Sequence, residues 1–190
     1  MTSLRRSKMI KGQITTNEVE RLSYLASTLD KNSLIVEIGA YRGKSTVALA
    51  KGMPETCHIV SIDPGVLGPQ SRPDQGYETT ETLLAFRENI KPYQQNITQI
   101  IGWPNKVAQW WGGDIDLLFV DATKRYESIV KIWKAFIPFC VYRVASHDYV
   151  TDETSDQYYP GVHRALQEVV FPKVTDEQNH VDYTWDGVMK

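Results

Sequence analysis

The chain has 190 residues, of which 42% are hydrophobic and 23% charged, and its 21 basic and 23 acidic residues leave a formal net charge of −2. This length suits one domain with its own core, and the balanced charge argues against a nucleic-acid partner. No stretch approaches the ~18 consecutive apolar residues of a membrane span, and the basic start lacks the apolar core of a signal peptide. We therefore expect a cytoplasmic single-domain protein without a membrane partner.

Short apolar runs alternate with helical segments along the chain. Runs that are apolar on both faces and rich in β-branched residues are typical of parallel strands covered by helices. Five such runs predict strands over residues 34–38, 58–62, 97–101, 115–120 and 141–146. Residues 181–189 alternate between apolar and polar side chains and predict a final antiparallel strand.

The segments between these strands carry helix signals. Capping residues within 15–20 stand just ahead of an apolar stripe. Spacing and stop signals predict helices over residues 19–29, 44–52, 78–90, 105–111, 124–136 and 161–170. This alternation predicts an α/β domain with a mostly parallel, doubly wound sheet over residues 17–190, preceded by an N-terminal segment over residues 1–16.

Two long connections, residues 64–76 and 151–160, follow the second and the fifth predicted strand. Both leave the carboxyl ends of strands, where open α/β sheets bind their ligands. Long loops at that edge often contact substrate, although solvated surface is an equally good interpretation of the first one.

The first strand leads into a glycine-bearing turn and a helix start, a geometry that holds ligands against backbone N–H groups. Gly39 and Gly43 are spaced G-x-x-x-G, whereas a dinucleotide-binding turn has G-x-G-x-x-G. Asp63 ends the next strand, and its interval from Gly39 suits a carboxylate that accepts ribose hydroxyls. The pattern favours a ribose-containing cofactor; the alternative is a tight turn in which Asp63 only caps a loop.

Several of these segments resemble a known family. The sequence EIGAYRGKS at residues 37–45 resembles the first motif of class I S-adenosylmethionine-dependent methyltransferases, especially the catechol O-methyltransferase type, and KGQI at 11–14 resembles a segment just before that domain. IDLLFVDATKRYE, SHDY and PGVHRAL resemble the branch with the cephalosporin and macrolide-sugar enzymes (methyltransferase domain 24). The resemblance spans about residues 11 to 170 and implies a Rossmann-like, seven-stranded type of sheet.

The resemblance also implies a set of cofactor-binding residues. The methionine and ribose portions of S-adenosylmethionine would lie against the first motif, and Asp63 would hold the ribose. The turn after the third strand would border the adenine, and Asp121 would lie under the sulfonium. The residues concerned are Glu37, Gly39, Tyr41, Gly43, Ser45, Asp63, Trp103, Asn105 and Asp121.

Asp121 follows the fourth predicted strand, and His147 and Asp148 follow the fifth. Neighbouring parallel strands would bring these three side chains to one place, where two carboxylates and an imidazole suit Mg²⁺ or Mn²⁺. The metal-dependent relatives carry acidic or amide ligands there, so His147 departs from their pattern. The alternative is a hydrogen-bonded His147–Asp148 pair that caps the strand end.

Lys124 stands three residues after Asp121, in the order D-A-T-K. The catechol-type enzymes have D-x-x-K at this place, and the resemblance implies that Lys124 is the general base, with Asp121 beside it in the catalytic site. A lysine can act as a general base when burial or a nearby cation lowers its pKa. The alternative is one more solvated cation on a helix.

These patterns together predict an S-adenosylmethionine-dependent methyltransferase that acts on an oxygen of a small hydroxylated acceptor, with divalent-metal assistance. One alternative is an inactive cofactor-binding or interaction module with the same fold. An NAD-dependent oxidoreductase is less favoured, because the glycine pattern is wrong and no second substrate domain fits. Tryptophan-rich edges and the C-terminal strand are compatible with a homo-oligomer.

Overall fold

The computed structural model describes residues 10–65 and 79–190. Its seven strands form one sheet in the order β3-β2-β1-β4-β5-β7-β6. The strands are β1 (Leu34–Ile38), β2 (His58–Asp63), β3 (Ile97–Ile101), β4 (Ile115–Val120), β5 (Cys140–Ser146), β6 (Val174–Val181) and β7 (Thr184–Met189). The five predicted parallel strands are confirmed, two of them one residue longer than expected.

The pairing of the strands confirms a mostly parallel sheet. β1 lies between β2 and β4, both parallel to it, and β3 and β5 extend the parallel part on either side. β7 runs antiparallel to β5 and to β6. Val120 and Ser146 are paired at the ends of β4 and β5, so the residues that follow these strands are neighbours.

The described residues contain six α-helices, of which the first precedes the sheet and the others lie between strands: α1 (Thr16–Ser27), α2 (Lys44–Gly52), α3 (Thr79–Ile90), α4 (Pro104–Val107), α5 (Tyr126–Phe136) and α6 (Pro160–Ala165). The prediction that a helix begins at Lys124 was wrong, because Arg125 has extended backbone at the N-cap of α5. Lys124 therefore lies in the β4–α5 loop and not on the surface of a helix. No described helix is both long and apolar enough to cross a membrane.

The predicted final antiparallel strand is confirmed as β7, but it is shorter than expected and a further strand precedes it. The segment 181–189 is not one strand, because Asp182 turns the chain with a φ of 51° between β6 and β7. β6 was missed because its sequence, VTDEQNHV, is mostly polar. An edge strand needs no apolar run on both faces, so its sequence carries little strand signal.

Apolar clusters cover both faces of the sheet, as a doubly wound fold requires. One face packs against α1, α2 and α3 through residues such as Leu22, Leu49 and Phe86. The other packs against α5 and α6 through Trp133 and Val162. The carboxyl edge between the two helical layers remains open. Most of the predicted connection at 64–76 lies outside the described residues.

Candidate functional site

The turn after β1 has an unusual backbone. Gly39, Tyr41 and Gly43 have φ angles of 92°, 48° and 81°, in the left-handed region that favours glycine. A Cβ on Gly39 would lie 1.8 Å from the carbonyl oxygen of Asp121, since the ends of β1 and β4 converge there. Glycine at 39 is therefore a steric requirement of the turn.

Asp63, at the end of β2, holds this turn together. One carboxylate oxygen accepts hydrogen bonds from the backbone N–H groups of Ala40 at 2.8 Å and Tyr41 at 3.1 Å, and the other accepts from Gly65 N–H at 2.7 Å. A carboxylate has roughly four acceptor positions, so these bonds leave one for a ligand. Asp63 also lines the cavity described below. Its contact with ribose remains a prediction.

Glu37 is fully buried behind the turn. It accepts hydrogen bonds from the hydroxyls of Ser45 at 2.5 Å, Thr46 at 2.5 Å and Ser61 at 2.7 Å. Burial raises the pKa of Glu37 to about 7, although the three hydroxyl donors oppose the shift. Glu37 does not line the cavity, so its link to a cofactor would run through Ser45, which does.

A cavity of about 940 Å³ opens at the carboxyl edge of the sheet. This volume accommodates a ligand of nucleoside size. Its wall includes seven of the nine predicted cofactor residues: Gly39, Tyr41, Ser45, Asp63, Trp103, Asn105 and Asp121. Gly43, like Glu37, lies outside it, because a side chain at Gly43 would point at Phe86 in the core. The Trp103 side chain is 40% exposed, so its ring is accessible to a ligand.

A second cavity of about 500 Å³ adjoins the first. Its walls are Gln13, Lys124, His147, Asp148, Gln157, Tyr159 and Tyr183. Gln13, Lys124 and Tyr159 line both cavities and so form the boundary between them. Gln13 and Tyr159 were not predicted individually, but both lie in segments that the sequence marked, KGQI at 11–14 and the long connection at 151–160.

Lys124 lies at this boundary. Its ammonium contacts a carboxylate oxygen of Asp148 and lies 4.2 Å from the centre of the Tyr159 ring. Asp148 itself has a φ of 62°, a conformation that aspartate tolerates better than most residues. Lys124 is therefore an ion-paired residue on the boundary of the two cavities, with 35% of its side chain exposed.

His147 is buried among three carboxylates. Its Nδ1 atom lies 3.4 Å from Asp121 Oδ1 and 3.2 Å from Asp148 Oδ1, and Nε2 lies 3.3 Å from Glu18 Oε1. Neither nitrogen makes a hydrogen bond of aligned geometry. Burial lowers the pKa of His147, but the charge of Asp121 and contacts with the other carboxylates raise it to about 12. The three carboxylates around His147 therefore favour its protonated form.

Glu18 is another residue at the site that was not predicted from the sequence. It caps the start of α1 through Thr15 N–H at 2.8 Å, and its other oxygen accepts from Tyr183 N–H at 3.2 Å and the Thr184 hydroxyl at 2.8 Å. Burial opposes its ionisation, yet His147, Thr15 and Thr184 lower the pKa of Glu18. The capping motif explained Glu18 locally, and nothing in the sequence indicated its contacts with residues far along the chain.

The predicted metal ligands come together. One ligand atom from each of Asp121, His147 and Asp148 lies within 4.8 Å of the others, which is compatible with the short bonds of a divalent ion. The imidazole can offer a lone pair only after losing a proton. The three ligand atoms are thus close enough to share one ion, and Asp121 also lines the larger cavity.

Solved methyltransferase structures share this fold. The O-methyltransferase from Bacillus cereus, in complex with SAH, has a TM-score of 0.69 and 15% identity over 94% of this chain and 83% of that one. TomG from Streptomyces achromogenes, an O-methyltransferase involved in tomaymycin synthesis and solved with SAM, has a TM-score of 0.67 and 17% identity over 94% and 82%. None of the curated protein sequences compared with the chain matches it.

The sheet order, the glycine turn after β1 and the cavity beside it define a class I methyltransferase fold. A family model described as a methyltransferase domain matches residues 36–149, more than half of the chain. The chain belongs to this family and is an S-adenosylmethionine-dependent methyltransferase.

Proposed function

We propose that the enzyme transfers the methyl group of S-adenosylmethionine to a hydroxyl oxygen of a small acceptor. The observation that carries this proposal is the place of Lys124, on the boundary between the larger cavity and the smaller one. The cofactor would occupy the larger cavity and the acceptor the smaller. An acceptor hydroxyl beside Lys124 would then face both the transferable methyl group and a nitrogen that can take its proton.

The chemistry is an in-line displacement. The bond between sulfur and the methyl carbon breaks, a bond between that carbon and the acceptor oxygen forms, and S-adenosylhomocysteine leaves with the electron pair on sulfur. The hydroxyl proton goes to the Lys124 nitrogen, which must first have released its own proton to solvent. Positioning of the two reactants accounts for much of the rate enhancement, of order 7 kcal/mol or more in favourable cases.

We propose further that Asp121, His147 and Asp148 hold Mg²⁺ or Mn²⁺, with Mn²⁺ favoured by the imidazole donor. The spacing of the three ligand atoms supports this proposal. When bound, such an ion would polarise the acceptor hydroxyl and lower its pKa. His147 would have to release its proton first, and Glu18 would stay in contact with its outer nitrogen.

Replacing Lys124 tests the proposal directly. Lys124→Ala should lower methyl transfer from labelled S-adenosylmethionine to hydroxylated acceptors by about 100-fold or more, because the proton acceptor is lost. Cofactor affinity in calorimetry should change little, since Lys124 only borders that cavity. Lys134→Ala, an exposed position on α5, is the matched control. Full activity in Lys124→Ala would contradict the assignment, and cofactor binding without turnover of any acceptor would favour the inactive module.

The metal is tested in the same assay. Protein treated with a chelator and then given Mn²⁺ should gain activity, and Mn²⁺ binding should be visible as loss of the free-ion signal in electron paramagnetic resonance. If the activity and the Mn²⁺ signal are both unchanged, the proposed metal site is wrong, but the proposed role of Lys124 is not affected.

A further inference from the structure

We propose that Glu37 takes up a proton when the carboxylate of the cofactor binds beside Ser45, so that cofactor affinity falls as the pH rises through neutrality. Glu37 is then a positioning residue, which acts on the ligand through the Ser45 hydroxyl. This proposal rests on the proposed function in one respect, the placement of S-adenosylmethionine in the larger cavity.

The three hydroxyls around Glu37 have no hydrogen to spare while Glu37 is ionised. The Ser45 hydroxyl donates to Oε1, and the Thr46 and Ser61 hydroxyls both donate to Oε2. A hydroxyl carries one hydrogen, so each of the three directs its hydrogen at the carboxylate. In this state Ser45 can offer a ligand only the lone pairs of its oxygen, as an acceptor.

A proton on Glu37 reverses one of these hydrogen bonds. The hydroxyl that then accepts from Glu37 must donate its own hydrogen elsewhere, because a buried polar group without a partner is costly. Thr46 and Ser61 are fully buried and line neither of the two cavities. Ser45 lines the larger cavity, and the oxygen that it shares with Glu37 has one donor where the other has two. The Ser45 hydrogen is therefore the one that can turn to a ligand.

The surroundings of Ser45 favour a negatively charged ligand group. Ser45 lies in the first turn of α2, whose N-cap residue, Gly43, provides no side-chain hydrogen bond to the N–H groups of that turn. Such N–H groups and the helix dipole attract negative charge. The amino-acid portion of S-adenosylmethionine carries a carboxylate and an ammonium group, and only the carboxylate can accept hydrogen bonds from a hydroxyl. A carboxylate there would also repel ionised Glu37, which strengthens the coupling to proton uptake.

The charged groups around Glu37 leave it able to take the proton near neutral pH. Burial raises the pKa of Glu37 to about 7, the three hydroxyls oppose this shift, and the charge of Asp121, just after β4, adds to it. Asp63, at the end of β2, accepts from backbone N–H groups of the turn. The Lys44 ammonium, on α2, donates to the Ile14 carbonyl oxygen. A ligand that prefers either form of Glu37 will therefore shift its protonation.

Calorimetric titration of the full chain with S-adenosylhomocysteine at pH 6, 7 and 8, with a chelator present, tests this proposal. If the ligand binds only the protonated form of Glu37, its Kd should rise about tenfold between pH 6 and pH 8. At pH 8 about one proton should be taken up per bound ligand, measured from the binding enthalpy in buffers with different enthalpies of ionisation. A Kd that stays constant or falls as the pH rises would overturn the proposal.

A ligand without the carboxylate is the matched probe. Decarboxylated S-adenosylhomocysteine keeps the nucleoside, the sulfur and the amine, but it lacks the group that we place beside Ser45. Its Kd should change by less than about twofold over the same pH range. An equal loss of affinity for both ligands at pH 8 would separate the proton from the carboxylate and overturn the proposal.

Variants identify the group that takes the proton. Glu37→Gln can donate from its amide to Ser45, as protonated Glu37 would, and should bind S-adenosylhomocysteine with less than about twofold dependence on pH. Ser45→Ala should weaken binding at pH 6 by about threefold to tenfold and reduce the pH dependence. Glu88→Gln, at an exposed position on α3, should behave as the native chain. A tenfold dependence retained in Glu37→Gln would contradict the assignment. The comparison of the two ligands needs no variant, so it remains decisive if a substitution disturbs the fold.

Trp103→Ala separates this proposal from the placement of the cofactor, because Trp103 lines the larger cavity and is not among the residues that hold Glu37. If S-adenosylhomocysteine binds Trp103→Ala and Ser45→Ala as tightly as the native chain, the cofactor does not occupy this cavity, and both proposals fail. If Trp103→Ala weakens binding and the native chain shows no pH dependence, only the inference about Glu37 fails.

Discussion

The two ends of the site lie along one edge of the sheet, but they accommodate buried charge in different ways. At the cofactor end, Glu37 and Asp63 are satisfied by neutral donors, namely three hydroxyls and three backbone N–H groups. At the reacting end, carboxylates contact cations, and His147 has no aligned hydrogen bond. The first end is thus fixed by backbone geometry, whereas the second depends on the balance of ionised groups.

The largest effect should come from the backbone of the cofactor end. Gly39→Ala would place a Cβ 1.8 Å from the Asp121 carbonyl oxygen at a φ of 92°, and neither backbone can move without disturbing β1 or β4. We expect a loss of more than about 4 kcal/mol in the free energy of unfolding, measured by urea denaturation, with cofactor binding abolished.

Gly112→Ala is the control for this change, because nothing lies within 4 Å of a Cβ at Gly112. It should alter stability by less than about 0.5 kcal/mol. Normal stability and cofactor affinity in Gly39→Ala would show that the turn is more adaptable than its contacts indicate.

The reacting end should be sensitive to the loss of a single charge. Glu18→Gln keeps the shape of the side chain but removes the carboxylate facing His147 Nε2. Breaking one partner of a buried ion pair costs about 3 kcal/mol or more, and we expect that loss in urea denaturation at pH 7. Glu20→Gln, on the exposed side of the same helix, should have almost no effect. Equal stability of the two variants would mean that His147 does not depend on Glu18.

Glu37 gives the cofactor end a pH dependence of its own. Burial raises its pKa from 4.5 to about 7, so the native state binds the proton more tightly than the unfolded chain does. The contribution of Glu37 to the free energy of unfolding is therefore fully present below about pH 4.5 and is lost as the pH rises to about 7. The difference corresponds to about 3 kcal/mol.

Glu37→Gln should remove this dependence. Between pH 5 and pH 8, urea denaturation should show the variant gaining stability relative to the native chain, by up to about 3 kcal/mol. Glu88→Gln, an exposed position on α3, should show no such change. A constant difference between Glu37→Gln and the native chain across this range would mean that Glu37 stays ionised in the fold.

The same contrast explains what could be predicted from the sequence. The cofactor end consists of a strand, a glycine turn, a helix and the end of the next strand, all within residues 34–63, so local patterns define it. Even there, the burial of Glu37 beneath Ser45, Thr46 and Ser61 was not predicted, because an acidic residue beside a glycine turn looks the same whether it faces the ligand or the core.

The reacting end could be predicted only in part. Asp121, Lys124 and Asp148 follow predicted parallel strands, and the sheet order then brings them together. Glu18 and Tyr183 reach the same place from the first helix and the last hairpin, which are separated by most of the chain. Long-range pairing of this kind leaves no periodic signal in the sequence. The hairpin that carries Tyr183 was also not predicted, because the sequence of β6 is mostly polar.

The smallest effect should come from Asp63, where only one oxygen position is left for a ligand. Asp63→Asn would turn an amide N–H₂ toward a backbone N–H group of the turn, and we expect cofactor affinity in calorimetry to fall about tenfold, or about 1.4 kcal/mol. Asp114→Asn, at an exposed position, should leave it unchanged. Comparing S-adenosylhomocysteine with its 2′-deoxy analogue separates the two roles of Asp63. If the carboxylate also holds the ribose, the preference for the hydroxylated ligand should shrink in Asp63→Asn, whereas an unchanged preference would leave Asp63 as the residue that only shapes the turn.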